Sequence, residues 1–228
     1  MDAVIVKVGG SLALQAEKLR SLCIKLTGLS HDHKLVVVPG GGEFADVARN
    51  LDSRFHLSPQ VAHRMAILGM DQYGLLLADL LPSSSLVEEL GSIQEVLDSD
   101  RLPVFLPAAY LSFDRTLENS WDVTSDSIAV YVAAQLNVPK VILVTDVDGV
   151  FSRDPKKFSD AKLISQLCAR DLLEMHERTS VDKFLPKLLL QVQIDCVVVN
   201  GLHPHRLETI LNGKDTVCTL IAGKPKKS

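Results

Sequence analysis

The sequence lacks the features that mark several classes of protein. Its four cysteines are scattered and form no C-x-x-C pair, which favours reduced, buried thiols over a disulfide or zinc framework. The net charge is −4, so a nucleic-acid or membrane-surface binder is not indicated. No apolar stretch is long enough to span a bilayer, and no basic region precedes an apolar segment at the amino terminus. Together these absences predict a cytoplasmic protein with no nucleic-acid or membrane partner.

Two common phosphate-binding motifs are also missing. Residues 213–215 read GKD, so the Ser or Thr of G-x-x-x-x-G-K-[ST] is absent, and Glu208 stands at that motif's first glycine. No G-x-G-x-x-G follows a predicted strand, which argues against dinucleotide binding by that route. The histidines at 31–33 and 203–205 lie in loops without a full ligand set, so no metal-binding residue is predicted.

The sequence does contain short runs rich in Val and Ile that alternate with longer segments of helical periodicity. LVVVP, KVILVT and CVVVN are apolar throughout, which is typical of parallel strands covered by helices on both faces. The alternation predicts an α/β layered sandwich, as one domain or at most two small ones in 228 residues. Strands are predicted at 3–8, 34–38, 85–88, 103–106, 140–145, 195–199 and 217–221. Helices are predicted at 12–28, 42–53, 59–80, 125–136, 182–193 and 204–211.

Two of the predicted strands end in glycine-rich turns that lead into helices. They read AVIVKVGGSLAL at 3–14 and LVVVPGGGEFADVAR at 35–49. Backbone N–H groups at such a turn, together with the helix dipole, favour an anion, so two turns favour one donor phosphate and one acceptor. Lys7, one residue before its turn, is costly to bury without a partner. It either neutralises a phosphoryl group in transfer or extends its ammonium to solvent.

A third polar segment, NSWDVTSDSIAV, begins a predicted helix. Asp122 and Asp126 are one helical turn apart near the helix start, and by themselves they favour capping and dipole interactions. Thr124 or Ser125 is the predicted cap of this helix.

A fourth polar segment follows the strand KVILVT. Thr145 and Asp146 end the strand, and Asp148 begins a turn. Ligands of open α/β sheets bind outside the carboxyl ends of the strands, where these residues fall.

Together these segments resemble the amino acid kinase family, in order and over nearly the whole chain. KVGGS resembles the family's opening K-x-G-G-S, PGGGEFAD its acceptor loop, DVTSDSIAVYVA the segment whose aspartate orients the catalytic lysines, and ILVTDVDGVFSRDPKK its nucleotide-binding strand and loop. VVVNGLHPHRLETILNGK resembles its closing strand and helix. The resemblance implies a single domain over 1–228, a three-layer αβα sandwich with an open, mainly parallel sheet. Its N-terminal half would bind the acceptor, and its C-terminal half would bind ATP.

The resemblance also implies an ATP-dependent phosphotransferase that uses Mg²⁺ and an anionic acceptor, with catalysis by positioning and charge neutralisation. The implied catalytic residues are Lys7, Asp126 and Lys187. The family's G-G-M-x-x-K lacks its paired glycines in TSVDKFLPKLLL, so Lys183 is an alternative second lysine, and a surface position without function is the alternative for both. The implied ATP-binding residues are Gly9, Gly10, Ser11, Thr145, Asp146, Asp148, Val150, Phe151, Asp154, Lys156 and Lys183.

The acceptor loop narrows the substrate class that the resemblance implies. It has neither the H-G-G-G-x-x-x-H of isopentenyl phosphate kinases nor the G-G-G-N of uridylate kinases. PGGGEFAD with WDVTSDS is most similar to the methanofuran-biosynthesis kinases, which convert an aminomethyl-furan methanol phosphate to its diphosphate. Amides of Gly40, Gly41 and Gly42 would hold the acceptor phosphate, and Glu43, Asp46 or Asp122 its ammonium. Glu43 and Asp46 also suit the first turn of a helix by charge alone.

Two further functions remain open at this point. The acceptor can be another phosphate monoester or a carboxylate, such as isopentenyl phosphate, UMP or an amino-acid derivative. The same fold also serves non-catalytic proteins that bind nucleotides or oxyanions.

The helix at 59–80 is apolar on more than one face, so Met65, Met70 and Tyr73 belong to the core or to a dimer interface. The resemblance implies a homodimer or higher homo-oligomer through this region.

Overall fold

The computed structural model describes residues 3–114, 116–155, 157–175 and 180–223, and it confirms the predicted α/β class. An eight-stranded sheet lies between two layers of helices. The strands are β1 (Val4–Val8), β2 (Leu35–Pro39), β3 (Ser84–Val87), β4 (Leu102–Phe105), β5 (Lys140–Thr145), β6 (Val150–Phe151), β7 (Leu163–Ile164), β8 (Gln166–Cys168), β9 (Asp195–Asn200) and β10 (Thr219–Ala222). The helices are α1 (Ala16–Ser30), α2 (Gly42–Phe55), α3 (Pro59–Leu80), α4 (Ile93–Asp98), α5 (Pro107–Leu111), α6 (Ser125–Gln135), α7 (Ala169–Glu174), α8 (Leu185–Val192) and α9 (His205–Leu211).

The first strand, β1, lies inside the sheet, whose order is β3-β4-β2-β1-β5-β9-β10-β8. It pairs in parallel with β2 on one side and with β5 on the other. The sheet is mainly parallel, although β10 runs antiparallel to β9, and β6 and β7 form a separate antiparallel ribbon. Parallel strands end at the same edge, so the loops that follow β1, β2 and β5 meet there.

Side chains along β1 alternate between two hydrophobic cores. Ile5 packs into the core on the side of α6 and α8, whereas Val6 and Val8 pack into the core on the side of α1 and α9. Full burial of each such side chain contributes about 1.5–3 kcal/mol relative to exposure. By the same alternation, Lys7 points to the side of α6.

Most predicted helices are present, with shifted ends. The helix predicted at 12–28 begins as a 3₁₀ turn, Gly10–Leu14, and continues as α1. The helix predicted at 182–193 begins only at Leu185, because Asp182 caps it from outside. The sequence did not predict the short elements α4, α5, α7 and β6–β8. Each has only two to six residues, which are too few to show a hydrophobic period.

Two side chains of α3 hold the short helix α5 in place. Asp71 Oδ1 accepts a hydrogen bond from the Ala108 N–H at 3.1 Å, and Arg64 Nη1 donates to the Ala108 carbonyl at 2.6 Å. Burial raises the pKa of the Asp71 carboxyl to about 6, although its backbone hydrogen bond acts in the opposite direction. Met70 and Tyr73 of the same helix are buried in the core, as predicted.

The four cysteines are free. Cys23 and Cys196 are buried, as predicted, whereas Cys168 and Cys218 are partly exposed, so burial of all four was wrong. Across the described parts of the chain, no helix has the length and apolar content needed to cross a membrane.

Candidate active site

A buried ion pair lies at the centre of the candidate site. Lys7 is 6% exposed and Asp126 is 7% exposed, and Lys7 Nζ lies 2.5 Å from Asp126 Oδ1. The lysine therefore does not extend to solvent, and its burial cost is met by a carboxylate from the first turn of α6. The two side chains come together because β1 points Lys7 towards the start of that helix.

The two glycine-rich turns form one continuous floor. Gly40 N–H donates to the Val8 carbonyl at 2.8 Å, and Gly9 N–H donates to the Val144 carbonyl at 2.8 Å, which ties together the loops after β1, β2 and β5. A Cβ on Gly40 would lie 2.6 Å from the Gly10 nitrogen. A Cβ on Gly10 would overlap the backbone of Gly42. The glycines are needed because the two backbones touch, which the sequence alone did not reveal.

A carboxylate that the sequence analysis missed joins α6 to α8. Asp182 accepts hydrogen bonds from the Thr124 N–H and hydroxyl at 3.0 Å each, from the Ser127 N–H at 2.9 Å and hydroxyl at 2.6 Å, and from the Leu185 N–H at 2.8 Å. Its own N–H donates to Asp126 Oδ2 at 3.2 Å. Burial, and next the charge of Asp126, raise the pKa of Asp182, while the hydrogen bonds from Ser127 and Thr124 oppose this rise.

The cap of α6 differs from the prediction. Thr124 occupies the cap position, but its side chain makes no capping hydrogen bond to the helix's own backbone. Asp182 takes that role for α6 and also accepts from the first residue of α8. The signal was available in the sequence, because an Asp three residues before a helix with Pro near its start is a capping pattern.

A cavity of about 340 Å³ opens above the floor and the ion pair. Eight residues predicted for the site line it: Lys7, Gly10, Ser11, Gly41, Gly42, Glu43, Asp46 and Asp126. The remaining lining residues were not predicted as site residues, among them Arg49, His63, Trp121 and Val123. One end of the cavity is therefore backbone and charge, and other parts of its wall are apolar or aromatic.

The three predicted ammonium-binding carboxylates have different surroundings. Asp46 Oδ1 pairs with Arg49 Nη1 at 3.1 Å. Asp122 pairs with Lys183 at 3.3 Å and is not among the residues that line the cavity. Glu43 lines the cavity and forms no ion pair with a described residue. Of the three, Glu43 is the carboxylate free to pair with a ligand.

Neither candidate for the second lysine lines the cavity. Lys187 pairs with Glu118 at 3.1 Å, with its ammonium 5.1 Å from the centre of the Phe184 ring. Lys183 is occupied by Asp122. Both ion pairs are exposed, and such pairs contribute about 0–1 kcal/mol to stability, so either lysine can leave its carboxylate at little cost in free energy.

Of the residues predicted to bind ATP, those from 145 to 154 lie at the end of β5 and beyond it, whereas Gly9, Gly10 and Ser11 follow β1 and Lys183 precedes α8. Asp146 Oδ1 accepts from the Ser11 hydroxyl at 3.0 Å and from the Thr145 hydroxyl at 3.3 Å, which links the first glycine turn to β5. The N–H of Val150 donates to the Thr219 hydroxyl at 2.8 Å. Phe151, which is half-buried, follows Val150 in β6. Asp154 Oδ2 lies 3.9 Å from Lys157 Nζ. Lys156 lies outside the described residues.

A second cluster holds Asp148 at the same edge. It accepts from Asn200 Nδ2 at 3.0 Å and Arg206 Nη1 at 2.5 Å. Burial acts to raise the pKa of Asp148, but these hydrogen bonds and the Arg206 charge outweigh it and lower the pKa. Asp148 is therefore a carboxylate already committed to Arg206.

His63 is a buried member of the cavity wall. Its Nδ1 lies 3.2 Å from the Ser120 carbonyl oxygen, which can only accept, so this nitrogen donates its hydrogen. Burial lowers the pKa of the imidazole, although the hydrogen bond to Ser120 opposes this shift. The neutral ring leaves Nε2 as an acceptor.

The donor set matches magnesium carried by a nucleotide better than a protein metal cage. Over the described residues, no group of three or more His, Cys, Asp or Glu side chains is placed to hold a metal ion. Mg²⁺ in phosphoryl transfer is usually held by one or two carboxylates together with substrate phosphates. Asp146, beside the first glycine turn, is a carboxylate that fits this role.

Comparison with known proteins identifies the family to which this chain is similar. Residues 2–200 match the model of the amino acid kinase family. The chain is 36% identical over 222 residues to the [5-(aminomethyl)furan-3-yl]methyl phosphate kinase of Methanocaldococcus jannaschii, covering 97% of this chain and 99% of that protein. It is 22% identical to the uridylate kinase of Pyrococcus abyssi, covering 92% of this chain and 96% of that protein. The structure of UMP kinase from Bacillus anthracis shares the fold, with a TM-score of 0.79, 21% identity, and coverage of 98% and 97% of the two chains.

Proposed function

Because this chain belongs to the amino acid kinase family, we propose that it is a cytoplasmic ATP-dependent kinase of [5-(aminomethyl)furan-3-yl]methyl phosphate, acting in methanofuran biosynthesis. The observation that carries the proposal is the buried Lys7–Asp126 pair at a floor where two glycine turns meet in one cavity. The identity of the acceptor follows from the 36% identical relative that spans nearly the whole chain.

The proposed reaction is a direct transfer of the γ-phosphoryl group. An oxygen of the acceptor's phosphate forms a bond to the γ-phosphorus, the bond from that phosphorus to the bridging oxygen breaks, and ADP leaves with the electron pair. The attacking oxygen is already an anion, so no side chain has to remove a proton. Mg²⁺, when bound with ATP, would neutralise charge on the phosphates.

Each site residue has a role in this proposal. Lys7 Nζ neutralises charge on the transferring group, and Asp126 fixes the direction of that ammonium. N–H groups of the two glycine turns hold phosphate oxygens of donor and acceptor. Residues at the end of β5, among them Thr145 and Asp146, lie on the ATP side. Lys187 or Lys183, released from its surface carboxylate, supplies the second positive charge.

Glu43 is the proposed partner of the acceptor's ammonium. Its carboxylate lines the cavity and has no partner among the described residues, whereas the charge of Asp46 is matched by Arg49. Glu43 is exposed at the cavity, and a hydrogen bond between an ammonium and a carboxylate is stronger than a neutral one. Asp122 stays a candidate only if a movement that also frees Lys183 brings it to the cavity.

The proposed assembly is a homodimer through α2 and α3. These two helices pack on each other and carry large exposed apolar side chains, including Phe44, Val47, Leu68 and Leu75. Exposed apolar side chains on two packed helices support an interface at this place. Sedimentation should therefore give twice the 24.9 kDa chain mass, and Leu68→Glu should shift the protein towards the monomer.

The function is tested by measuring ADP release with Mg²⁺, ATP and three acceptors: the furan phosphate, isopentenyl phosphate and UMP. Turnover confined to the furan phosphate supports the proposal. Turnover with UMP or isopentenyl phosphate instead keeps the kinase and rejects this acceptor. ATP binding without any turnover would favour a non-catalytic binding protein.

Lys7→Arg separates the kinase from the binding protein without leaving Asp126 unpaired. A displaced charge at the transferring group should lower kcat about 100-fold, comparable to loss of one oxyanion donor. Lys34→Arg, whose lysine pairs with Asp98 on the surface at 3.6 Å, is the matched control and should keep full activity. Equal activity of the two variants would remove Lys7 from the mechanism.

A further inference from the structure

Trp121, the sole tryptophan of the chain, is held rigidly in the wall of the cavity. Its Nε1–H donates to Asp52 Oδ2 at 2.7 Å, and the other carboxyl oxygen of Asp52 accepts from the Leu57 N–H at 3.1 Å. The guanidinium carbon of Arg49 lies 4.7 Å from the centre of the indole ring. Arg49 also forms an exposed ion pair with Asp46. The indole is thus fixed from its edge and from one face before any ligand arrives.

We propose that Trp121, supported by Arg49, is a specificity-determining residue that selects phosphate acceptors carrying a flat unsaturated ring. The inference rests on the proposed function, since it takes this cavity as the acceptor site. Trp121 and Arg49 both line the cavity, and both carry planar groups. A ring that packs on Trp121 meets an indole already positioned by its hydrogen bond to Asp52, so little side-chain entropy is lost on binding.

The rest of the cavity sets where the ring must lie. Lys7 and the glycine turns require anionic groups, so the acceptor's phosphate occupies the floor. The apolar part of the wall includes Ile67, Met70 and Val123, which cannot satisfy a polar chain but can pack on the edges of a ring. An acceptor with phosphate at one end and a flat ring at the other matches both parts.

The charges of the cavity add one condition on the ring. Lys7 is paired with Asp126 and Arg49 is paired with Asp46, which leaves the carboxylate of Glu43 unmatched among the described residues. A ring with a positively charged substituent would match it, and a ring with a negative one would be repelled. In this proposal Trp121 packs on the ring of the acceptor, and Glu43 pairs with the charged substituent of that ring.

The test compares binding of two compounds in the absence of ATP, by calorimetry. The furan phosphate has phosphate, ring and ammonium, whereas 2-aminoethyl phosphate has the same two charged groups and no ring. Trp121→Leu should weaken binding of the furan phosphate about tenfold, from lost ring contact and burial, and should leave 2-aminoethyl phosphate unchanged. Equal weakening of both compounds, or of neither, would overturn the proposal.

A second pair of variants isolates the supporting guanidinium. Arg49→Gln should weaken the furan phosphate in the same selective way, to a smaller extent. Arg54→Gln is the matched control, because Arg54 lies over the Phe55 ring at 5.5 Å on the same helix and does not line the cavity. Identical behaviour of the two variants would show that Arg49 does not support the ring site and would refute that part of the proposal.

Two further measurements keep the inference independent of folding defects and of the acceptor's identity. In the wild type, tryptophan emission should change on titration with the furan phosphate and stay constant with 2-aminoethyl phosphate; a constant signal with both would refute the ring contact. If the turnover panel selects UMP instead, the proposed acceptor fails, and UMP is compared with ribose 5-phosphate. Selective loss of UMP binding in Trp121→Leu then supports the role of Trp121, and its absence rejects it.

Discussion

Replacement of Asp182 by asparagine tests whether one buried carboxylate holds the starts of α6 and α8 together. The aspartate accepts five hydrogen bonds, three of them on Oδ2 from the Thr124 N–H, the Thr124 hydroxyl and the Ser127 N–H. Oδ1 accepts from the Ser127 hydroxyl and the Leu185 N–H. Asparagine has nearly the same shape but offers one acceptor oxygen in place of two.

The size of the effect follows from where that oxygen goes. If it stays among the three donors on the α6 side, the amide nitrogen faces the Leu185 N–H, and a backbone donor loses its partner at a cost of about 1–3 kcal/mol. The remaining hydrogen bonds lose their ionic character and become weaker. Relief of the repulsion from Asp126 offsets part of this loss. The free energy of unfolding should fall by about 2–4 kcal/mol in total.

Urea unfolding at pH 7.5, followed by circular dichroism, gives this free energy directly. Asp122→Asn is the matched control, because it removes an acid near the start of α6 that is paired with Lys183 in an exposed ion pair. The control should change stability by less than about 0.5 kcal/mol. If Asp182→Asn is no less stable than the control, the capping of both helices by Asp182 contributes nothing, and the reasoning fails.

Two other substitutions test separate parts of the structure. Gly10→Ala should destabilise the protein by about 3 kcal/mol or more and abolish turnover, since its Cβ would overlap the facing glycine turn, while Gly28→Ala, in open space on α1, should stabilise it by up to about 1 kcal/mol. Similar unfolding curves for both alanine variants would contradict the contact between the turns. Asp71 has a pKa raised to about 6 from an ordinary 3.8, so the native state favours its protonated form and loses stability as the pH rises from about 4 to 6. Asp71→Asn keeps a neutral acceptor and should gain stability relative to the wild type over that interval, measured as urea midpoints; a constant difference between the two proteins would disprove the shift.

The sequence predicted most of the sheet because its strands are buried on both faces. Runs such as KVILVT are apolar at every position, which a helix-covered parallel strand requires and a surface strand does not. The order of the strands is different information. The strand order depends on which apolar runs pair with each other. This pairing places Lys7 between Val38 and Leu143, on the side of the sheet that faces α6.

The candidate site was predicted in its backbone more fully than in its side chains. The glycine turns are visible in sequence, because each follows a strand directly. Asp122 and Asp126 have helical spacing, but α6 begins only at Ser125, and the extended backbone at Thr124 separates their surroundings. Trp121 lies in a segment without periodicity, so its contact with Arg49, 72 positions earlier, depends on tertiary packing alone.

The place of β1 within the sheet has a consequence for how the chain is made. On the ribosome β1 is synthesised before β2 and can pair with it once residue 39 has emerged, but the other edge of β1 does not gain its partner β5 until about a hundred residues later. An open edge of this kind invites pairing with another nascent chain. Lys7, the single charged residue of VIVKV, is also without Asp126 during that interval. A charge on an exposed edge strand discourages intermolecular pairing, so we expect Lys7, proposed to neutralise the transferring phosphoryl group in the folded protein, also to limit aggregation of the unfinished chain.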